Sequence, residues 1–154
     1  MFTASEVFDL AIQIEVNGEN FYRKALGGAH QEQLKGLLLF LADQETKHRD
    51  TFERLKAGLS QRPDAGDPIA GATGSALRAA MGRHAFSLDD LESSPVLDEK
   101  GLLQTALEFE KDSIQFYEFL ATLIDEPSAL IAIQEIRGEE LEHKDLLMRK
   151  IAAL

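Results

Sequence analysis

The chain has 154 residues, room for one domain with a sizeable core. It contains no Cys, which excludes disulfides, Cys-ligated zinc or iron, iron–sulfur clusters and a Cys nucleophile. Lys and Arg number 16 against 27 Asp and Glu, a net charge of −11 that suits cations and argues against nucleic acid or an anionic membrane as partner.

The first helix is predicted from a capping box at Thr3 and Glu6 to about Leu26, before Gly27-Gly28. The second runs from about Gln31 to Ala57 and stops at Gly58. The third starts at the N-cap Asp98 and ends before Pro127. The fourth starts after Ser128 and runs nearly to the C-terminus. No strand pattern competes. Between the second and third helices, residues 59–97 carry three of the four prolines. Asp64 to Ser75 reads as loop and Ser75 to Arg83 as a short helix.

Two short connections and one long one describe an all-α four-helix bundle. The chain reads as a single domain, residues 1–154: hairpin 3–57, crossover 58–97, hairpin 98–153. The long crossover also leaves room for halves to exchange between two chains, so a homo-oligomer, such as a dimer, is expected. The longest apolar run, Leu37 to Ala42, is too short to span a bilayer. No basic segment followed by an apolar one opens the chain, so a cytoplasmic location is the expectation.

The two hairpins align without gaps at an offset of 95. Ala11 matches Ala106, Glu15 matches Glu110, and Phe21-Tyr22 matches Phe116-Tyr117. Glu45, His48 and Asp50 match Glu140, His143 and Asp145. Apolar matches arise easily between amphipathic helices. A Glu-x-x-His pair recurring in register, each with a Glu 30 positions upstream, does not. A duplicated hairpin explains both.

The apolar stripe of a bundle core follows alternating three- and four-residue steps. The first helix gives Phe8, Ile12, Glu15, Glu19, Tyr22 and Leu26, and the second Leu34, Leu38, Leu41, Glu45, His48, Phe52 and Leu55. The third gives Leu103, Leu107, Glu110, Ile114, Tyr117 and Ala121, and the fourth Ala129, Ile133, Ile136, Glu140, His143 and Leu147. Each stripe has a polar patch near its middle, and no Lys or Arg falls on any of them. An unpaired buried carboxylate costs several kcal/mol. Three solutions exist: protonated carboxyls, helices rotated toward solvent, or cations between the side chains. Four carboxylates and two neutral imidazoles carry a charge that two divalent metals balance. Residues i and i+3 share a helical face, so Glu45 with His48 suits one metal and Glu140 with His143 a second. Glu15 and Glu110 complete the six, in the arrangement of ferritin-like di-metal carboxylate proteins.

These residues, with the segments Ala11–Tyr22 and Ala106–Tyr117, make the chain resemble the rubrerythrin branch of the ferritin-like superfamily. The resemblance covers the four helices. It implies a ferritin-like bundle holding two iron ions that react with hydrogen peroxide or oxygen. Carboxylate and imidazole also suit manganese or a mixed pair. In the family's pattern Glu45 and Glu140 bridge, Glu15 and Glu110 bind at the ends, and His48 and His143 each bind one metal. Two departures stand out. There is no Cys and no room for a rubredoxin domain, so electrons come from an external donor or from ferrous iron itself. Ser113 and Ile114 stand where the family's peroxidases carry an additional carboxylate, which weighs against rubrerythrin-type peroxidase activity.

Three functions follow as readings: a di-iron oxidoreductase, a ferroxidase or iron-storage or delivery protein, and a non-catalytic bundle with a polar core. Glu19 is an additional candidate, as a seventh ligand or a point of iron uptake. Tyr22 and Tyr117, one turn further along, are candidates for hydrogen bonding or redox work near the metals. Asp50 and Asp145 recur, but i+2 points away from each one's own histidine. His30 and His84 read as solvated. In the run Glu139-Glu140-x-Glu142 only Glu140 is expected inside.

Overall fold

The computed structural model describes residues 4–60 and 98–154. The described chain forms four helices: α1 (Ala4–Gly28), α2 (Glu32–Ser60), α3 (Glu99–Ala121) and α4 (Pro127–Ala152). No strand occurs among the described residues. Helices α1 and α2 make one hairpin, α3 and α4 the other, and the two close into a four-helix bundle. The capping box at Thr3, the loop and helix expected within 64–83, and His84 all lie outside the described residues.

Local chemistry explains the helix starts. Asp98 caps α3 as expected, its Oδ1 accepting from the Gly101 amide at 2.7 Å. The cap of α4 falls earlier than expected. Glu126, not Ser128, takes that position and accepts from the Ala129 amide at 2.7 Å. Pro127 is the reason: its fixed φ and missing amide hydrogen suit the first helical residue, so the cap moves to the residue before it. Gly58 does not end α2, which continues to Ser60.

The buried faces are wider than a two-per-heptad stripe. In α1, Val7, Ala11 and Ile14 are fully buried, while the expected Ile12 is half-buried. In α3, Ala106 and Phe109 are buried and Leu107 is half-buried. A straight helix packed on two neighbours buries a stripe wider than 100°, so two positions per turn go inside.

The core is split in two. One apolar cluster includes Phe8, Ile14, Phe52, Phe116, Leu120 and Ile133. The other includes Leu34, Leu38, Leu41, Leu103 and Leu147. The polar residues Glu15, Glu45, Glu110 and Glu140 fall between them along the helices. Among the described residues, no helix is long and apolar enough to cross a membrane.

Candidate metal centre

Each helix sends one glutamate into the middle of the bundle. Glu15 comes from α1, Glu45 from α2, Glu110 from α3 and Glu140 from α4, and none is more than 1% exposed. One turn beyond Glu45 and Glu140, His48 and His143 are buried beside them. All six side chains that the sequence singled out therefore come together. They form two groups whose ligand-type atoms lie within 4.8 Å of one another. One is Glu15, Glu45, His48 and Glu140; the other is Glu45, Glu110, Glu140 and His143. The groups share Glu45 and Glu140, and each draws on both hairpins.

Both histidines turn Nδ1 inward. His48 Nδ1 lies 2.8 Å from Glu140 Oε1 and 3.5 Å from Glu15 Oε2. His143 Nδ1 lies 3.5 Å from Glu140 Oε2 and 3.9 Å from Glu110 Oε2. The two imidazoles stack, their centroids 5.9 Å apart.

The tyrosines bond crosswise. Tyr22 of α1 donates its hydroxyl to Glu110 Oε1 of α3 at 2.7 Å. Tyr117 of α3 donates to Glu15 Oε1 of α1. Burial, then the facing carboxylates, pushes both phenols well above their ordinary range, so they stay protonated donors. Each thus fixes one oxygen of a glutamate and leaves the other facing the cluster.

Among the described residues, seven buried polar atoms make no well-aligned hydrogen bond: Glu15 Oε2, Glu45 Oε1, His48 Nδ1, Glu110 Oε2, both oxygens of Glu140, and His143 Nδ1. Orphaned groups are rare in protein interiors because each forfeits its hydration. Here all belong to the same six side chains and all are ligand-type atoms. Carboxylate and imidazole donors of this kind suit divalent iron, manganese or zinc. The donor set therefore fits a pair of metal ions.

Without cations, protons take up the negative charge. Burial pushes Glu45 and Glu110 well above the carboxylate range, and the charge of Glu140 adds to it. Burial would also lower His48, but Glu15 and Glu140 outweigh it and carry the imidazole up to about 11. Glu140 moves the other way. Burial opposes ionisation there, yet Glu110 and the two histidines, close against its oxygens, hold it well below its usual value.

Glu19 departs from expectation. It belongs to neither group and instead meets Arg23 Nε at 2.7 Å and Arg49 Nη1 at 2.6 Å. Those guanidiniums overcome its partial burial and lower its pKa. The stripe had suggested no basic neighbour, because Arg49 sits beside the stripe and reaches across from α2. Asp50 is exposed and lies 3.7 Å from Arg49 Nη2, so it does not orient a histidine.

Sequence reasoning missed three further residues. Glu139 Oε2 lies 3.1 Å from His48 Nε2, on the outer side of the ring. Asp112 is only 5% exposed, two positions past Glu110. Gly18 packs so tightly that a Cβ there would stand 3.0 Å from Glu45 Cδ and Oε2 and from Phe109 Cε1. A glycine inside an otherwise unbroken helix was the available hint.

Four helices, a split apolar core and a buried Glu/His cluster define a ferritin-like carboxylate bundle. Residues 3–152 match the ferritin-like domain family, and the chain belongs to it. It is similar to a Thermotoga maritima protein described as a ferritin-like diiron-carboxylate protein, at 25% identity and a TM-score of 0.75. That match covers 98% of this chain and 95% of the other. A hypothetical protein from Pyrococcus furiosus shares the fold at 19% identity and a TM-score of 0.71, over 98% of this chain and 89% of its own. No curated protein matches the sequence.

Proposed function

We propose that the chain is a rubrerythrin-like di-iron oxidoreductase acting on hydrogen peroxide or oxygen. The observation that carries this reading is the pair of four-residue groups sharing Glu45 and Glu140, with its ligand atoms buried and unpartnered. Glu45 and Glu140, common to both groups, would serve both metal positions, while Glu15 with His48 would complete one and Glu110 with His143 the other. A bound iron pair supplies reversible one-electron redox chemistry toward peroxide or oxygen.

The chain's own part is geometric and electrostatic. Tyr22 and Tyr117 hold Glu110 and Glu15 by one oxygen, which frees the second for a cation. The apolar clusters on either side keep bulk water from the carboxylates and keep the local dielectric low. Neutral imidazole is the binding form, so a cation held here would take the place of the Nδ1 proton of His48.

One observation favours a second reading. The 154 residues contain no Cys, so no Cys-ligated iron within them feeds electrons to the site. Ferrous iron itself then serves as reductant, as in a ferroxidase that stores or delivers iron; otherwise a separate donor protein does.

Metal content per chain, measured on protein from iron-sufficient cells without metal-affinity steps, tests the proposal. Two irons per chain are expected, and about two manganese would change the metal but keep the site. Stopped-flow oxidation of the reduced centre by peroxide and by oxygen then separates the activities. Uptake far beyond two irons selects storage. Near-zero transition metal after anaerobic ferrous reconstitution would sink the reading and leave a bundle with a polar core. Glu45→Ala removes a residue common to both groups, so it is expected to bind fewer than two metals per chain; full retention would count against the assignment.

A further inference from the structure

His48 is held from both sides. Its Nδ1 faces the cluster, 2.8 Å from Glu140 Oε1 and 3.5 Å from Glu15 Oε2. Its Nε2 lies 3.1 Å from Oε2 of the half-exposed Glu139. A carboxylate oxygen at this distance accepts, which calls for the ring hydrogen on Nε2. The Nδ1 lone pair is then the one available to a cation. A carboxylate behind a ligand imidazole fixes both tautomer and ring orientation, and it makes the ring a stronger donor.

The second hairpin does not repeat the device. At the offset of 95, the residue equivalent to Glu139 is Gln44, a neutral amide. His143 has a different neighbour, the ring of Phe40, edge-on with centroids 5.8 Å apart. The residue equivalent to Phe40 is Glu135. The duplication has kept the six inward side chains and changed what surrounds them. One histidine has an anion behind it, and the other lies against an aromatic edge.

We infer that Glu139 is a positioning residue that fixes His48 Nδ1 on the cluster and makes Glu15–Glu45–His48–Glu140 the tighter, first-filled metal position of the pair. This rests on the metal centre proposed above. The ligands alone are matched by the duplication, and so would give two nearly equal positions. The charge of Glu139 reaches the imidazole directly, and the amide of Gln44 carries no charge to supply.

Cobalt(II) titration of the metal-free full chain, followed by visible absorbance, tests it. The wild type is expected to take up two equivalents in two resolved steps. Glu139→Gln keeps an acceptor but loses the charge, and Glu139→Leu loses both. The first step weakens about tenfold in the Gln variant and about 100-fold in the Leu variant, within the range for residues behind metal ligands. The second step stays in place. In the one-cobalt protein, proton NMR shows a shifted, slowly exchanging ring N–H that vanishes in Glu139→Leu. A purely structural role would shift the melting temperature yet leave the order of filling and that proton unchanged. Glu135→Gln, an exposed acid on the same helix, leaves both steps untouched. Two equal steps in the wild type, or unchanged steps in both Glu139 variants, would overturn the inference alone. Absence of any cobalt binding would overturn the metal centre, and this inference with it.

Discussion

Seven orphaned atoms on six side chains make stability depend on what fills the space between them. In the metal-free protein Glu45, Glu110 and His48 hold protons more tightly than the unfolded chain does. Where the native state binds more protons, stability falls as pH rises. For the two carboxyls that loss starts above their ordinary value of 4.5. For His48 the contribution is complete below 6.5 and lost as pH rises through about 11. Glu140 opposes them: its lowered pKa adds stability above 4.5 that fades as pH falls. Between pH 6 and pH 8 Glu140 is ionised in both states and adds no slope, so metal-free protein is expected to melt at lower temperature at pH 8 than at pH 6. With metal in place of those protons the slope reverses, because acid displaces the metal. Melting curves with and without chelator across this range are the check, and parallel pH dependences would refute it. Tyr22→Phe leaves Glu110 Oε1 buried without its donor. A loss of about 1–3 kcal/mol is expected in metal-free protein by denaturant titration. The six inward residues were legible in the sequence because each interrupts an apolar stripe. Glu139 was not. It sits in an acidic run, and its bond to His48 depends on how α2 faces α4, which spacing within one helix does not encode.

Along a single helix, Gly18 is a liability of about 1 kcal/mol relative to Ala. It is kept where α1 comes closest to the Glu45 carboxylate and the Phe109 ring. Gly18→Ala therefore has two opposed effects: better helix propensity, and a methyl pressed against Glu45. The variant is expected to keep its helicity by circular dichroism while binding metal less tightly by titration. Unchanged metal affinity would mean that Glu45 moves aside freely. At the start of α4, Glu126→Ala removes the acceptor for the Ala129 amide and should cost about 1 kcal/mol. Ser128→Ala should cost little, which separates the observed cap from the one that residue preference favoured. Helix existence was plain from periodicity, because long amphipathic segments with capping residues leave few alternatives. The ends were less so, since a proline one position away decides which neighbour caps. The buried face was underestimated for a related reason: a two-per-heptad stripe describes a coiled-coil seam, whereas these helices pack on two neighbours each.

For the molecule as a whole, duplication was the most informative sequence feature. It placed Glu15 with Glu110 and both Glu-x-x-His pairs in one register before any packing was known. What it did not convey is where symmetry breaks. Glu19 is matched by Ile114 at the same offset, and the structure turns Glu19 to Arg23 and Arg49. Metal that binds only the folded state adds to its stability by mass action, about 2.7 kcal/mol at a hundredfold excess over the dissociation constant. A clear rise in melting temperature on loading is the expected result, absent in Glu45→Ala.

Each ligand group takes side chains from both hairpins, so neither hairpin alone holds a complete set. The colour of a bound cobalt ion is consequently a gauge of tertiary assembly rather than of helix content. During gentle denaturation that colour should fade when the hairpins part, even while far-ultraviolet ellipticity persists. The centre would then serve as a built-in reporter that tells a docked bundle from two helical pairs drifting apart.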